Sequence, residues 1–448
     1  VTAWLVRGAH LYNPLGGTTP RADVRIRDDT ITQIGRALQP SPGEQVFDAS
    51  GMTAVPSMID LHVHSTRPND LTAYADAGIR HIRYAGLDLD SVRAARRHIS
   101  SAEGRPLSIS SCGPMLDMAD EAYPEWTIVA DSPASAAATA RSLIAGGEVD
   151  ALIVTQGISG PLISAISAQA RRAGFPVVGQ VWKADAAEAA RAGIDQLDNS
   201  SRIFASLTVS VPQMLAYRSV GDRLATWARA WASVDWPRTE HIQDVMIEHG
   251  VSYCPTLVAH EVQSFAGDDI LMRDPRFEAW FDAADREAYR RFRAYLEAGW
   301  SQQNRSEWAA AMDNRLEWIR RFRSRGGKIV VGTDLPFGAL NVIRELELLT
   351  ESGMTNDEAL FAATQGSADA LGASSFSARI EAGAEASFVL TKVSPADSIS
   401  ALREPAAVFL KGRRMPARTD GRDAAGTDRG RKISLTALRS QNSSVKES

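Results

Sequence analysis

Over residues 53–372 short apolar runs alternate with amphipathic helical stretches, and this pattern constrains the chain more than any other feature. Eight runs stand out: Met58–His64, Gly78–Arg83, Leu107–Ser111, Leu152–Thr155, Val177–Val181, Gln196–Asn199, Tyr253–Val258 and Ile329–Asp334. Helical patterns intervene, among them Ala134–Ala145, Leu162–Ala173 and Ala184–Ala192. Alternation of this kind predicts an α/β chain with a parallel sheet, and eight repeats favour a closed (β/α)8 TIM barrel. Two later helices carry their own signals. Asn341 is expected to cap one that bears Val342, Ile343, Leu346 and Leu349, and Thr355 with Glu358 matches a capping box.

The chain ends read differently. Val24 and Ile26 alternate with Arg25 and Arg27, Asp28-Asp29 turns the chain, and Ile31 and Ile34 resume. Ala386–Lys392 and Ala406–Lys411 are strand-like as well. The expected organisation is a small β-sandwich domain built from both ends (1–55 plus 376–416), a barrel over 56–375 and a flexible tail over 417–448. Seven of the ten tryptophans fall between 227 and 318, inside a helical insertion around 205–325. They read as glue for extra helices, with an aromatic lid as the other reading. Trp227 and Trp231 share a helix face.

Composition narrows the class. With 44% hydrophobic and 23% charged residues a sizeable core is expected. A net charge of −5 argues against a nucleic-acid or anionic-membrane partner. No apolar run approaches the roughly 18 residues of a membrane span, and Val1–Pro14 lacks the layout of a secretory leader. Cys112 and Cys254 read as buried thiols in a reducing compartment. The expectation is a cytoplasmic protein acting on a small molecule, with homo-oligomerisation left open.

Two motifs carry chemistry. Asp60-Leu61-His62-Val63-His64 ends the first apolar run, and residues two apart on a strand share a face, so His62 and His64 point the same way. Two such imidazoles can chelate one divalent metal. Lys328-Ile329-Val330-Val331-Gly332-Thr333-Asp334 ends an apolar strand in a carboxylate, a good place for a general base or metal ligand, or for a helix cap.

Together these motifs resemble the amidohydrolase superfamily, in its imidazolonepropionase-like and prolidase-like branch. Pro56-x-x-Ile59-Asp60-x-His62-x-His64 is similar to the family's first barrel strand and Gly332-Thr333-Asp334-x-Pro336 to its last. Cys254-Pro255-Thr256-Leu257, Arg344-Glu345-Leu346, Ala362-Ala363-Thr364 and Ile380-Glu381-x-Gly383 extend the likeness over nearly the whole chain. The resemblance implies metal-assisted hydrolysis: first-strand histidines, a carbamylated lysine on the fourth strand, histidines ending strands five and six, and a last-strand aspartate that shuttles a proton.

This chain departs from that set. Ile153 stands where the lysine belongs, and no lysine precedes Lys183. Gln180 and Trp182 replace the strand-five histidines, and Asp198-Asn199 replaces Glu-His on strand six. Neutral amides are poor zinc ligands, so a two-metal site is not expected. Two readings stay open. In the first, one divalent metal, zinc before others, binds His62, His64 and Asp334 and serves hydrolysis of an amide or cyclic C–N bond. In the second the site is metal-free, and the same three residues form an acid/base cluster for a cyclase, lyase, dehydratase or isomerase. A non-catalytic binder is the third choice. Gln180, Trp182, Asn199, His260 and Tyr84 are candidate substrate contacts. For His260 the alternative is a solvated loop, and for Tyr84 packing. Lys183 and His81 read as structural.

Overall fold

The computed structural model describes residues 2–101, 104–119, 125–200, 203, 206–207, 220–264, 270–297, 301–372 and 376–416. The tail from 417, expected to be flexible, lies outside the described residues, as does part of the Trp-rich insertion. In chain order the strands are β1 (Ala3–Asn13), β2 (Gly17–Arg27), β3 (Thr30–Gly35), β4 (Gln45–Asp48), β5 (Thr53–Pro56), β6 (Met58–Val63), β7 (Ile79–Tyr84), β8 (Ser108–Ser111), β9 (Met115–Asp117), β10 (Thr127–Val129), β11 (Leu152–Gln156), β12 (Val177–Val181), β13 (Gln196–Asp198), β14 (Ser252–Cys254), β15 (Lys328–Ile329), β16 (Phe388–Thr391), β17 (Ala407–Leu410) and β18 (Arg413–Arg414). The described residues fall into two compact units, one drawn from 2–84, 91–110 and 329–416 and the other from 85–90 and 111–328.

In the first unit both chain ends share one curled sheet in the order β18-β17-β16-β5-β1-β2-β3, with β4 also on β1. β16 pairs antiparallel with β5 through Phe388↔Pro56 to Thr391↔Thr53, so a C-terminal strand sits directly beside an N-terminal one. Alternating inward residues build the core: Val24, Ile26, Ile31, Phe388 and Phe409 are buried together. Phe409 stacks on Phe388 at 5.1 Å and meets Trp4 edge-on at 5.5 Å.

From β5 the chain passes through Ser57 into β6, which pairs in parallel with β7. On the other side of β6, Leu61 N donates to Val331 O at 2.9 Å and Asp334 N to His62 O at 2.9 Å. The expected strand Ile329–Asp334 is regular only at Lys328–Ile329. Beyond it side chains take over the ladder: Val331 N donates to Ser367 Oγ (3.2 Å) and Thr333 N to Asp60 Oδ1 (3.1 Å). Asp334 then turns into the left-handed region at φ 51°.

The second unit contains a parallel sheet in the order β10-β9-β11-β12-β13-β14. Its helices match their sequence signals: Pro133–Gly146 follows a Ser132 capping box, and Ala186–Ala192 is capped by Asp185. The expected strand Tyr253–Val258 stops at Cys254, because Pro255 cannot donate to a ladder and Thr256 turns to φ 50°; Leu257–Ser264 is a helix. Trp227 and Trp231 lie buried on the helix Val220–Ala232. Both cysteines are buried and outside any disulfide among the described residues, in line with the buried thiols expected.

In the first unit the Thr355–Glu358 capping box is present, whereas Asn341 does not cap. Its helix starts earlier, at Gly338, and the Asn341 amide instead donates back to Pro336 O and Phe337 O, both at 3.3 Å. Among the described residues no helix is long and apolar enough to cross a membrane.

Candidate metal centre

From Ile59 onward β6 alternates. Ile59, Leu61 and Val63 are apolar, and Asp60, His62 and, one residue past the strand, His64 occupy the other face. That polar face meets the end of the Val330–Asp334 segment. His62 Nε2 lies 3.6 Å and His64 Nε2 3.1 Å from Asp334 Oδ1, and the two imidazole rings are 5.1 Å apart. One ligand atom from each of the three side chains falls within 4.8 Å of the others. Burial is graded: the His62 side chain is fully buried, while those of His64 and Asp334 are 34% and 18% exposed, so one side of the cluster is open to a ligand.

The donor set fits a divalent ion. Nitrogen and oxygen ligands of tetrahedral zinc, at about 2.0–2.1 Å, stand about 3.3 Å from one another. The two histidine-to-aspartate separations, 3.1 and 3.6 Å, bracket that edge.

Behind the cluster Asp60 fastens the two strand ends. Its carboxylate accepts from His62 N (3.1 Å), Thr333 N (3.1 Å), Thr333 Oγ1 (2.7 Å) and the Tyr74 hydroxyl (3.3 Å). Burial pushes its pKa up to about 6, against the lowering effect of the hydrogen bonds from Thr333 and His62. Burial likewise raises the Tyr74 phenol well above its usual range. Gly338 makes room for this network, since a Cβ there would stand 1.8 Å from the Tyr74 hydroxyl and 2.7 Å from Thr333 Oγ1. In the sequence Asp60 carries no signal beyond its place in the motif, and Thr333 and Tyr74 carry none as site residues. An Asp two positions before a candidate ligand was the available signal.

Of the sequence-predicted residues, the structure brings together His62, His64 and Asp334. Tyr84 ends β7 fully buried, and its hydroxyl has no hydrogen-bond partner among the described residues. The others belong to the second unit. Ile153 lies in an apolar cluster with Cys112, Met115 and Val178, which explains why this position holds no cation. Gln180 is paired across from Thr155 in the β11–β12 ladder, and Trp182 follows β12, 2% exposed. Asn199 follows β13 in the left-handed region (φ 67°), its N–H on Cys254 O at 2.8 Å. His260 is not on a solvated loop: it is fully buried in the helix Leu257–Ser264, where its carbonyl accepts the Trp308 indole N–H at 2.7 Å.

Comparison with known proteins places these features. Residues 306–415 match the family described as "Amidohydrolase family". A dihydroorotase of Trichlorobacter lovleyi is 36% identical over 64 residues, 14% of this chain and 15% of that enzyme, so the match spans about a seventh of the relative's own length. Among solved structures, a putative prolidase from Bifidobacterium longum is similar with a TM-score of 0.67 at 19% identity, covering 99% of both chains. The structure titled bottromycin amidohydrolase gives a TM-score of 0.69 at 20% identity, covering 94% of this chain and 88% of that one. At this identity the likeness concerns the fold, and it bears out the expected (β/α)8 class with a β domain from both chain ends.

Proposed function

We propose, from the premise that the chain belongs to the amidohydrolase superfamily, that it hydrolyses an amide or cyclic C–N bond of a small organic molecule, using one divalent ion at a reduced site. The observation that carries this reading is the convergence of His62, His64 and Asp334 ligand atoms within 4.8 Å. The activities for which the relatives are named support the reaction class.

His62 Nε2, His64 Nε2 and Asp334 Oδ1 would hold the ion, zinc before others. When bound, such an ion polarises a carbonyl and lowers the pKa of water. The protein supplies the rest. Asp60 fixes His62 and Thr333 through their backbone N–H groups, so the ligands are set before substrate arrives. The second oxygen of Asp334 is the group to take a proton from the attacking water and pass it to the leaving nitrogen. Ile153 stands where the family resemblance implies the lysine that would hold a second ion, and it lies in an apolar cluster.

One experiment tests this. The purified protein is expected to hold about one equivalent of a divalent metal, and Asp334→Asn is expected to lose metal and at least about a hundredfold of hydrolysis on a panel of amides and lactams. Absence of metal after zinc reloading, together with undiminished activity of Asp334→Asn, would overturn it. The 3.1 Å contact between His64 Nε2 and Asp334 Oδ1 favours a second reading, direct acid/base catalysis without metal. Turnover that survives exhaustive chelation would select it.

A further inference from the structure

A cleft of about 330 Å³ opens on the first unit, lined by Arg80, His81, Ser108, Phe376, Ser377 and Glu385. It does not belong to the candidate metal centre. In the β6–β7 register Met58 faces Ile79 and Val63 faces Tyr84, so Arg80 and His81 start β7 at the end opposite to His62 and His64. Three to four residues of strand, at about 3.3 Å each, separate the two places.

The chemistry of the cleft is balanced. Arg80 is 4% exposed, its guanidinium held 4.0 Å over the Phe376 ring with Nη2 2.9 Å from Glu385 Oε1. Glu385 Oε1 also accepts from Ser387 Oγ, whereas Oε2 has no hydrogen bond among the described residues. Arg80 Nη1 makes only a 3.5 Å contact with Ser377 O, which leaves guanidinium N–H groups to spare. His81, 6% exposed, uses Nε2 on Ser110 Oγ at 3.0 Å, and its Nδ1 has no partner among the described residues. Burial pushes the imidazole down to about 3, so it adds polarity without charge.

One fixed cation thus stands beside one fixed anion, each with unused hydrogen-bonding capacity. A phosphate would meet Glu385 and a metal cation would meet Arg80, so both are disfavoured by charge. A ligand carrying both signs a few ångströms apart satisfies both groups. A space of this size with few convergent polar groups suits a small organic molecule.

We propose that the cleft is a binding site for a free α-amino acid as its zwitterion, with the α-ammonium on Glu385 Oε2, the α-carboxylate on Arg80 and the Ser108 hydroxyl, and a small apolar side chain toward Gly383 and Ala384, which also line the cleft. The proposal is independent of the hydrolytic reading, because it uses none of the three candidate metal ligands.

Titration calorimetry of the full chain with glycine, L-alanine, L-valine and L-proline tests it. At least one of these is expected to bind saturably at one per chain. N-acetyl-L-alanine and L-alaninamide, each lacking one charge, are expected to bind at least about tenfold more weakly. Glu385→Gln and Arg80→Met should weaken binding by a similar factor, and His62→Ala/His64→Ala should leave it within about twofold. Should Arg80→Met fail to fold, Glu385→Gln and Ser108→Val carry the test. No saturable binding by any of the four amino acids would overturn the proposal. So would unchanged binding in both Glu385→Gln and Ser108→Val, or loss of binding in the double histidine variant.

Discussion

His81 shows how one buried side chain sets a pH response. Its pKa is pushed down to about 3, first by burial and then by the charges of Arg80, Lys411 and Arg83. In the unfolded chain it titrates near 6.5, so between pH 6.5 and 3 the unfolded state binds the proton and stability falls as the solution becomes more acidic. The slope is about 1.4 kcal/mol per pH unit. Asp60 acts in the opposite sense, since its raised pKa lets the folded state take up a proton below about 6. A comparison with His81→Asn cancels that contribution. From pH 7 to pH 5 the stability gap between the proteins is expected to move by about 2 kcal/mol in favour of His81→Asn, read from urea unfolding midpoints. An unchanged gap would show that His81 is not held neutral.

At the scale of elements, the helix starting at Gly338 touches the site through a missing side chain. Gly338→Ala would push on Tyr74 and Thr333 and loosen the Asp60 clamp. The expected result is a loss of roughly 1–3 kcal/mol and weaker metal retention, checked by thermal unfolding and zinc titration. The Trp-rich helix Gln302–Ser324 poses a different question. Arg315 is 1% exposed, lies 4.4 Å from the Trp308 ring and 5.2 Å from the Trp231 ring, and its guanidinium nitrogens have no hydrogen-bond partner among the described residues. Burial pushes its pKa down to about 9. Ring faces compensate a buried cation only in part, so Arg315→Met is expected to stabilise the protein by about 1–2 kcal/mol. A lower midpoint in calorimetry would contradict this.

Much of this scale was legible in the sequence. Val177–Val181 came out residue for residue, and most other strands within one or two positions, because β-branched runs bounded by turns have few alternatives. The His62–His64 pairing followed from the period of a strand. What could not be read was where side chains replace backbone partners. The Val330–Asp334 segment left the ladder because Asp60 and Ser367, distant in sequence, took its N–H groups. The early start of the helix at Gly338 and the burial of His260 depended in the same way on tertiary neighbours.

At the scale of the whole molecule, β16 lies between β5 and β17, and Phe388 and Phe409 complete the core beneath β1 and β2. A chain cut after Glu385 would lose both aromatics and one neighbour of β5. Removing even one buried Phe costs about 3–5 kcal/mol, so this truncation is expected to abolish cooperative unfolding of the β sheet, while a separate 386–416 segment added in trans should restore it. Hydrogen exchange of the β1–β3 amides, resolved by peptide mass spectrometry against denaturant, gives the readout, and a cooperative loss of protection there in the truncated chain would refute the prediction. The same arrangement has a temporal side. During synthesis residues 53–56 leave the ribosome more than three hundred residues ahead of their partner Phe388–Thr391. For that interval β5 has an open flank able to zip onto a neighbouring nascent chain. Crowded polysomes and rapid initiation should therefore penalise this protein's yield more than its finished stability would suggest.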